Sequence, residues 1–206
     1  MGLLDDKRRA RWFYRFLSRF YDRVNPVFWN EEMRADCVEL LDVREGERAL
    51  DVGCGTGFGT LGLLERTDDV VGLDQSAHQI RVARTKSELD DVELVLGDAE
   101  RMPFPDDEFD VVWSSGSIEY WPRPVETLEE LRRVTRPGGR VLVVGPRRPS
   151  NRVLGWLADR VMLFYSVEEA DRMFEAAGWR DVDSVVMGSD YVDDDAIVTT
   201  ARAPET

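Results

Sequence analysis

Lysine is almost missing from this chain. Of its 27 basic residues only Lys7 and Lys86 are lysines; the rest are arginine, set against 41 acidic residues for a formal net charge of −14. Nucleic-acid binding needs clustered positive charge against the phosphates, so this balance excludes nucleic acid as the main partner. The two cysteines, Cys37 and Cys54, are too few for a disulfide framework or a metal set, and no metal is expected. No apolar run is long enough to span a bilayer. Asp5, Asp6, Lys7, Arg8 and Arg9 stand where a secretory signal would be apolar, so a cytoplasmic protein is expected. The acidic, lysine-poor surface points to a salt-loving cytoplasm, where self-repulsion is screened. An acidic protein of ordinary salt is the alternative.

What is present is a globular composition. The 206 residues are 43% hydrophobic and 33% charged, enough for one domain with a sizeable core. Its organising stretch is LDVGCGTG, residues 50–57. Arg48 to Val52 reads as a short buried strand and Leu61, Leu63 and Leu64 as part of a helix. Gly53, Gly55 and Gly57 lie between, where a backbone without Cβ can turn sharply and let a ligand approach. The dinucleotide fingerprint G-x-G-x-x-G fails here, because its third glycine would fall on Phe58 or Thr60. The spacing Asp51-x-Gly53-x-Gly55-x-Gly57 instead resembles motif I of the class I S-adenosylmethionine-dependent methyltransferases.

The rest of the chain alternates strands and helices. Residues 7–24 read as an amphipathic helix, with Trp12, Phe13, Phe16, Leu17, Phe20, Tyr21 and Val24 on one face. Lys7, Arg11, Arg15, Arg19 and Arg23 form a basic row on another. That row suits either a lid that touches an anionic membrane surface or a solvated face of a packed helix. Trp29 to Leu41 predicts a second helix with Met33, Cys37, Leu40 and Leu41 inward. Asp69–Asp74 predicts the second strand, 77–89 a helix, Val92–Leu96 the third strand and Phe109–Ser114 the fourth. Val125–Val134 predicts a helix and Arg140–Val144 the fifth strand. A helix from Ser166 to Gly178 is capped by Ser166 and Glu169. Trp179–Met187 and Tyr191–Thr200 predict a hairpin, and Ala201–Thr206 a loose tail.

Three local features carry chemistry. Asp74 ends the second strand, about 20 residues after the glycine turn, where a carboxylate can accept both ribose hydroxyls. Gly97-Asp98-Ala99-Glu100 with Pro103-Phe104 resembles the methyltransferase motif in which the aspartate meets the adenine amino group. Ser115 to Pro122, SGSIEYWP, follows the fourth strand, where open α/β sheets bind ligands.

The resemblance is closer still to the 2-methyl-6-phytyl-benzoquinol methyltransferases of plants and cyanobacteria. It rests on WFYRFLS at 12–18, YDRVNP at 21–26, NEEMRAD at 30–36, GTGFGTLG at 55–62, DQSAHQ at 74–79, GSIEYWPRP at 116–124 and AD-x-x-MLF at 158–164. More loosely the chain is similar to the menaquinone and ubiquinone C-methyltransferases, through Tyr21, Asp22 and Asn25.

The resemblance implies an α/β, Rossmann-like, doubly wound sheet of seven strands, mostly parallel with a C-terminal antiparallel hairpin and helices on both faces. Residues 1–45 would form an N-terminal helical lid, 46–206 the cofactor-binding domain, and about 146–165 a cap insertion. It implies methylation of a ring carbon of a prenylated hydroquinone with S-adenosylmethionine; another small phenol or lipid acceptor, or a non-catalytic binding subunit, stays open. Cofactor contacts would come from Asp51, Gly53, Gly55, Gly57, Asp74, Gln75, Asp98, Ala99 and Ser115. The ring carbon is a weak nucleophile until a hydroxyl proton leaves, so a base is needed, worth ~10²–10⁴ in rate. Glu119, His78 and Tyr21 are the candidates. Trp29, Tyr120, Trp121, Met162 and Phe164 are candidate walls for the ring and its tail, or ordinary core residues. Partners would be a small-molecule prenylquinol and, through the basic helix, a membrane surface; the protein would be a monomer or homodimer.

Overall fold

The computed structural model describes residues 31–147, 165–188 and 196–205. The expected helix at 7–24, residues 148–164 of the cap expected at about 146–165, Tyr21, Trp29, Met162 and Phe164 lie outside the described residues.

Seven strands form one sheet: β1 (Ala49–Val52), β2 (Val70–Asp74), β3 (Glu93–Leu96), β4 (Phe109–Ser115), β5 (Thr135–Pro146), β6 (Arg180–Met187) and β7 (Ala196–Arg202). Their order is β3-β2-β1-β4-β5-β7-β6. The first five run parallel, and β7 is antiparallel to both β5 and β6. The helices are α1 (Glu31–Leu40), α2 (Phe58–Leu64), α3 (Ala77–Ala83), α4 (Pro124–Val134) and α5 (Val167–Ala176).

The period of two in the strands sorts the core onto two faces. Leu50, Val52, Val112, Val141, Val143 and Ile197 join Leu128, Leu131, Phe174 and Trp179 on the side of α4 and α5. Ala49, Val111, Trp113, Leu142, Val144 and Val198 join Cys37, Val38 and Leu63 on the side of α1 and α2. Each fully buried Val, Leu or Phe stabilises the fold by about 1.5–3 kcal/mol. The expected doubly wound sheet with helices on both faces is what forms.

Local readings held where a short-range device fixes them. Ser166 Oγ accepts from Glu169 N at 3.3 Å and Glu169 Oε2 accepts from Ser166 N at 2.9 Å, closing the capping box of α5. Four readings are corrected. In α1 it is Val38 that turns inward at 2% exposure, while Leu40 is 45% exposed. The helix expected over 77–89 ends at Ala83, and a separate 3-10 turn, Ser87–Leu89, brings Leu89 under the glycine loop at Gly57. β5, expected from Arg140, begins at Thr135, which pairs with Phe109, so Pro137, Gly138 and Gly139 lie inside the strand, where its register with β4 shifts. The tail expected to be loose continues β7 to Arg202. Ala203 N then donates to Gly139 O at 2.9 Å, and Gly138 N donates to Ala203 O at 3.2 Å. Ala201 and Ala203 are buried.

Candidate active site

The C-terminal ends of β1, β2, β3 and β4 face one rim of the sheet, the usual ligand position in an open parallel sheet. Leaving β1, Gly53, Gly55 and Gly57 all have positive φ, at 76°, 55° and 92°. This is a backbone that only glycine adopts without strain. The loop is tied to β2: Gly53 N and Cys54 N both donate to Leu73 O, at 2.7 and 3.0 Å.

Asp74, at the tip of β2, is the second tie. Its Oδ2 accepts from Gly55 N at 2.9 Å and its Oδ1 from Ser76 N at 2.7 Å. Burial raises its carboxyl above the usual range, and the Ser76 and Gly55 amides pull it back. A carboxylate has about four acceptor sites. Two are used here, so each oxygen keeps capacity for a hydroxyl donor. The helix cap that follows is made by Ser76, whose Oγ accepts from Gln79 N at 3.4 Å.

Beneath the loop lies Asp51, 1% exposed. Thr60 Oγ1 donates to its Oδ2 at 2.7 Å. Burial pushes its carboxyl up to about 7; the Thr60 bonds oppose this and the nearby Asp74 charge adds to it. The Cys54 thiol is likewise pushed up by burial, then by Asp51 and Asp74, so it stays a thiol and packs as a small apolar group. Among the described residues no cluster of histidine, cysteine, aspartate or glutamate could hold a metal ion.

Past β3, Asp98 and Ala99 are half-buried, and Asp98 Oδ1 accepts from Glu100 N at 3.1 Å. Gln75 and His78 are exposed, His78 on the first turn of α3 beside the Asp74 end of the rim.

Past β4 the chain turns sharply at Gly116 (φ 61°) into a 3-10 turn, Ile118–Tyr120. Ser115 accepts from the Trp113 indole, Nε1 to Oγ 3.1 Å. Ser117 accepts from the Trp121 indole at 3.0 Å. A Cβ on Gly53 would stand 2.6 Å from Ser117 Oγ, so this turn is packed directly on the glycine loop. Glu119 is 3% exposed, Tyr120 half-buried, and Trp121 buried in the larger core. The structure thus gathers Asp51, the glycines, Asp74, Ser115 and Glu119 along one rim, with Asp98 and Ala99 at its β3 end.

Four further residues shape this rim. Ser117 lies within the SGSIEYWP stretch, but its contact with Gly53 crosses between strands. Thr60 follows the glycine loop by one turn, and a hydroxyl there was legible as a partner for Asp51. Gly145 and Tyr165 meet only in three dimensions and left no local signal.

The loop offers Cβ-free backbone and the β2 carboxylate keeps acceptor sites, which fits a nucleoside-bearing cofactor such as S-adenosylmethionine. A family profile described as a methyltransferase domain matches residues 50–143. The chain is 47% identical over 183 residues to rice 2-methyl-6-phytyl-1,4-hydroquinone methyltransferase 2, across 87% of this chain and 53% of that protein. It therefore spans about half the length of that plant relative. It is 30% identical over 210 residues to the demethylmenaquinone methyltransferase of Staphylococcus aureus strain JH9, across 86% of this chain and 87% of that one. In fold it is similar to phosphoethanolamine N-methyltransferase 2 of Haemonchus contortus, solved with phosphomonomethylethanolamine and S-adenosylhomocysteine. There the TM-score is 0.77 at 16% identity, over 93% of this chain and 60% of that one. The chain belongs to the S-adenosylmethionine-dependent methyltransferase family.

Proposed function

We propose that this chain methylates a ring carbon of a prenylated hydroquinone with S-adenosylmethionine. The observation that carries the reading is the contact of the post-β4 turn with the glycine loop through Ser117 and Gly53. It sets a buried carboxylate, Glu119, two residues from the cofactor loop's neighbour. The acceptor class is supported by the rice relative, named for a phytylated hydroquinone, and the staphylococcal relative, named for demethylmenaquinone.

When bound, S-adenosylmethionine supplies an electrophilic methyl group. Gly53, Gly55 and Gly57 let the backbone run close to it, with Asp51, Gln75 and Ser115 around them. Asp74 accepts from the ribose hydroxyls, and Asp98 with Ala99 meets the adenine. Glu119 takes the acceptor's hydroxyl proton, with His78 and Tyr21 as the other candidates. Tyr120, with Trp29, Met162 and Phe164, contributes walls for the ring and tail, while Trp121 backs them from the core. Residues 1–45 and about 146–165 act as lid and cap, the Lys7–Arg23 row resting on an anionic membrane surface where such acceptors dissolve.

Incubation of the purified chain with S-adenosylmethionine and a phytylated hydroquinone, read by mass spectrometry, tests this. The expected product carries one additional ring methyl. Methylation of an unprenylated phenol in preference would replace the acceptor; no product from any hydroquinone would remove it.

A further inference from the structure

From Gly97 to Glu108 the chain lies outside every strand and helix, and this is the stretch that carries Asp98 and Ala99. Such a stretch has no ladder to fix it, so each backbone group it buries needs its own partner. At one end Gly97 N donates to Asp74 O at 3.0 Å. At the other, two side chains of α4 take hold. Glu130 Oε1 accepts from Met102 N at 2.7 Å. Arg133 donates through Nη1 to Phe104 O at 2.9 Å and to Asp106 Oδ1 at 2.7 Å, and through Nη2 to Met102 O at 3.4 Å. None of the roles above uses Glu130 or Arg133.

The two side chains are locked to each other as well. Arg133 Nε and Nη2 donate to the two oxygens of Glu130, each at 2.8 Å, a forked pair one turn apart on α4. Both are partly shielded, with side chains 15% and 31% exposed for Glu130 and Arg133. Hydrogen bonding from Arg133 holds the Glu130 carboxyl below its usual range, so it stays a charged acceptor for the Met102 amide. From Met102 the order runs back to the site. The preceding residue, Arg101, donates its N–H to Asp98 O at 3.0 Å, closing a tight turn. Inside that turn Glu100 N donates to Asp98 Oδ1 at 3.1 Å. The direction of the Asp98 carboxylate is thus set by a turn whose far end is pinned to α4.

We propose that Glu130 and Arg133 are positioning residues for base recognition: by pinning Met102 and Phe104 they hold the Asp98 turn where its carboxylate meets the 6-amino group of adenine. This rests on Asp98 being the adenine contact. A hypoxanthine base carries an oxygen in place of that amino group, which accepts rather than donates, so a carboxylate held in place rejects it. The fork on α4 therefore supplies a preference for adenine, beyond any stability it adds.

Calorimetry on the full chain, S-adenosylhomocysteine against S-inosylhomocysteine, tests this, with the melting temperature measured beside it. The ratio of the two affinities is the readout, since a fold that is merely loosened weakens both ligands alike. Asp98→Ala should lower the wild-type preference for the adenine ligand about tenfold. Glu130→Ala should lower it at least ~fivefold, while Glu130→Gln, which keeps an oxygen for the Met102 amide, should stay within about twofold of the wild type. Arg133→Lys keeps the charge but cannot fork over Glu130 and two carbonyls, and should lower the preference at least ~threefold. Adding Glu130→Ala to Asp98→Ala should cost no further preference, because Glu130 acts through Asp98. If Asp98→Ala loses the preference while Glu130→Ala or Arg133→Lys keeps it, whatever the melting temperature does, the proposal is overturned and the adenine contact stands. A wild type without the preference, or an Asp98→Ala chain that keeps it, removes the adenine contact and the proposal together.

Discussion

Ser117 Oγ occupies the space in front of Gly53: a Cβ on that glycine would stand 2.6 Å from it. This contact joins the loop after β1 to the turn after β4, and so joins the cofactor side of the rim to the side that carries Glu119. Gly53 also has φ 76°, which disfavours any side chain. Gly53→Ala therefore meets two costs, a left-handed residue at ~1–2 kcal/mol and a displaced Ser117. Calorimetry with S-adenosylhomocysteine should show binding weakened at least ~10-fold. Pairing it with Ser117→Gly should restore part of that loss, because the clash is removed and only the φ cost remains. No restoration would mean that the Ser117 contact is not what constrains Gly53.

Asp74 binds Gly55 N and Ser76 N and retains acceptor capacity on each oxygen. Asp74→Ala loosens the loop and leaves the ribose hydroxyls without an acceptor, each buried unpaired group costing about 1–3 kcal/mol. Affinity for S-adenosylmethionine should fall ~10-fold or more. Asp74→Asn keeps one acceptor oxygen and should lose less. Equal affinity in the Ala variant and the wild type would separate Asp74 from the cofactor.

Asp51 gives a pH dependence. Its folded carboxyl sits at about 7, above the unfolded value. Between roughly pH 4 and pH 7 the folded state therefore holds a proton that the unfolded state releases, so this group's contribution falls as pH rises through that window. Asp51→Asn keeps an oxygen for the Thr60 hydroxyl and removes the charge. Its melting temperature should lose the downward drift across that range and exceed the wild type at pH 8. A variant with the same drift would assign it to other groups.

Much of the rim was legible because it is written locally. Strand, glycine turn and helix occupy one short stretch, Asp74 closes the strand that follows, and the Ser166–Glu169 capping box joins residues three apart. What was not legible depends on distant partners. Leu40 and Val38 compete for the inward side of α1, and the packing of α1 on α2 decides for Val38, against which Gly62 lies. The fifth strand reads as starting at Arg140, because the hydrogen bonds that Gly138 and Gly139 make come from Ala203 at the far end of the chain. The same bonds turn the expected loose tail into the last of β7 and its extension. Trp121 reads as a site wall, yet its ring packs in the core and its indole N–H is held by Ser117.

The most direct measurement is the turnover of Glu119→Gln on a phytylated hydroquinone, beside its affinity for S-adenosylhomocysteine. The side chain keeps its shape and loses its basicity. The account predicts that turnover falls ~10²-fold or more while that affinity stays within about twofold of the wild type. A Gln variant that retains most of its turnover would contradict it, and the proton would then have to leave through His78, Tyr21 or water.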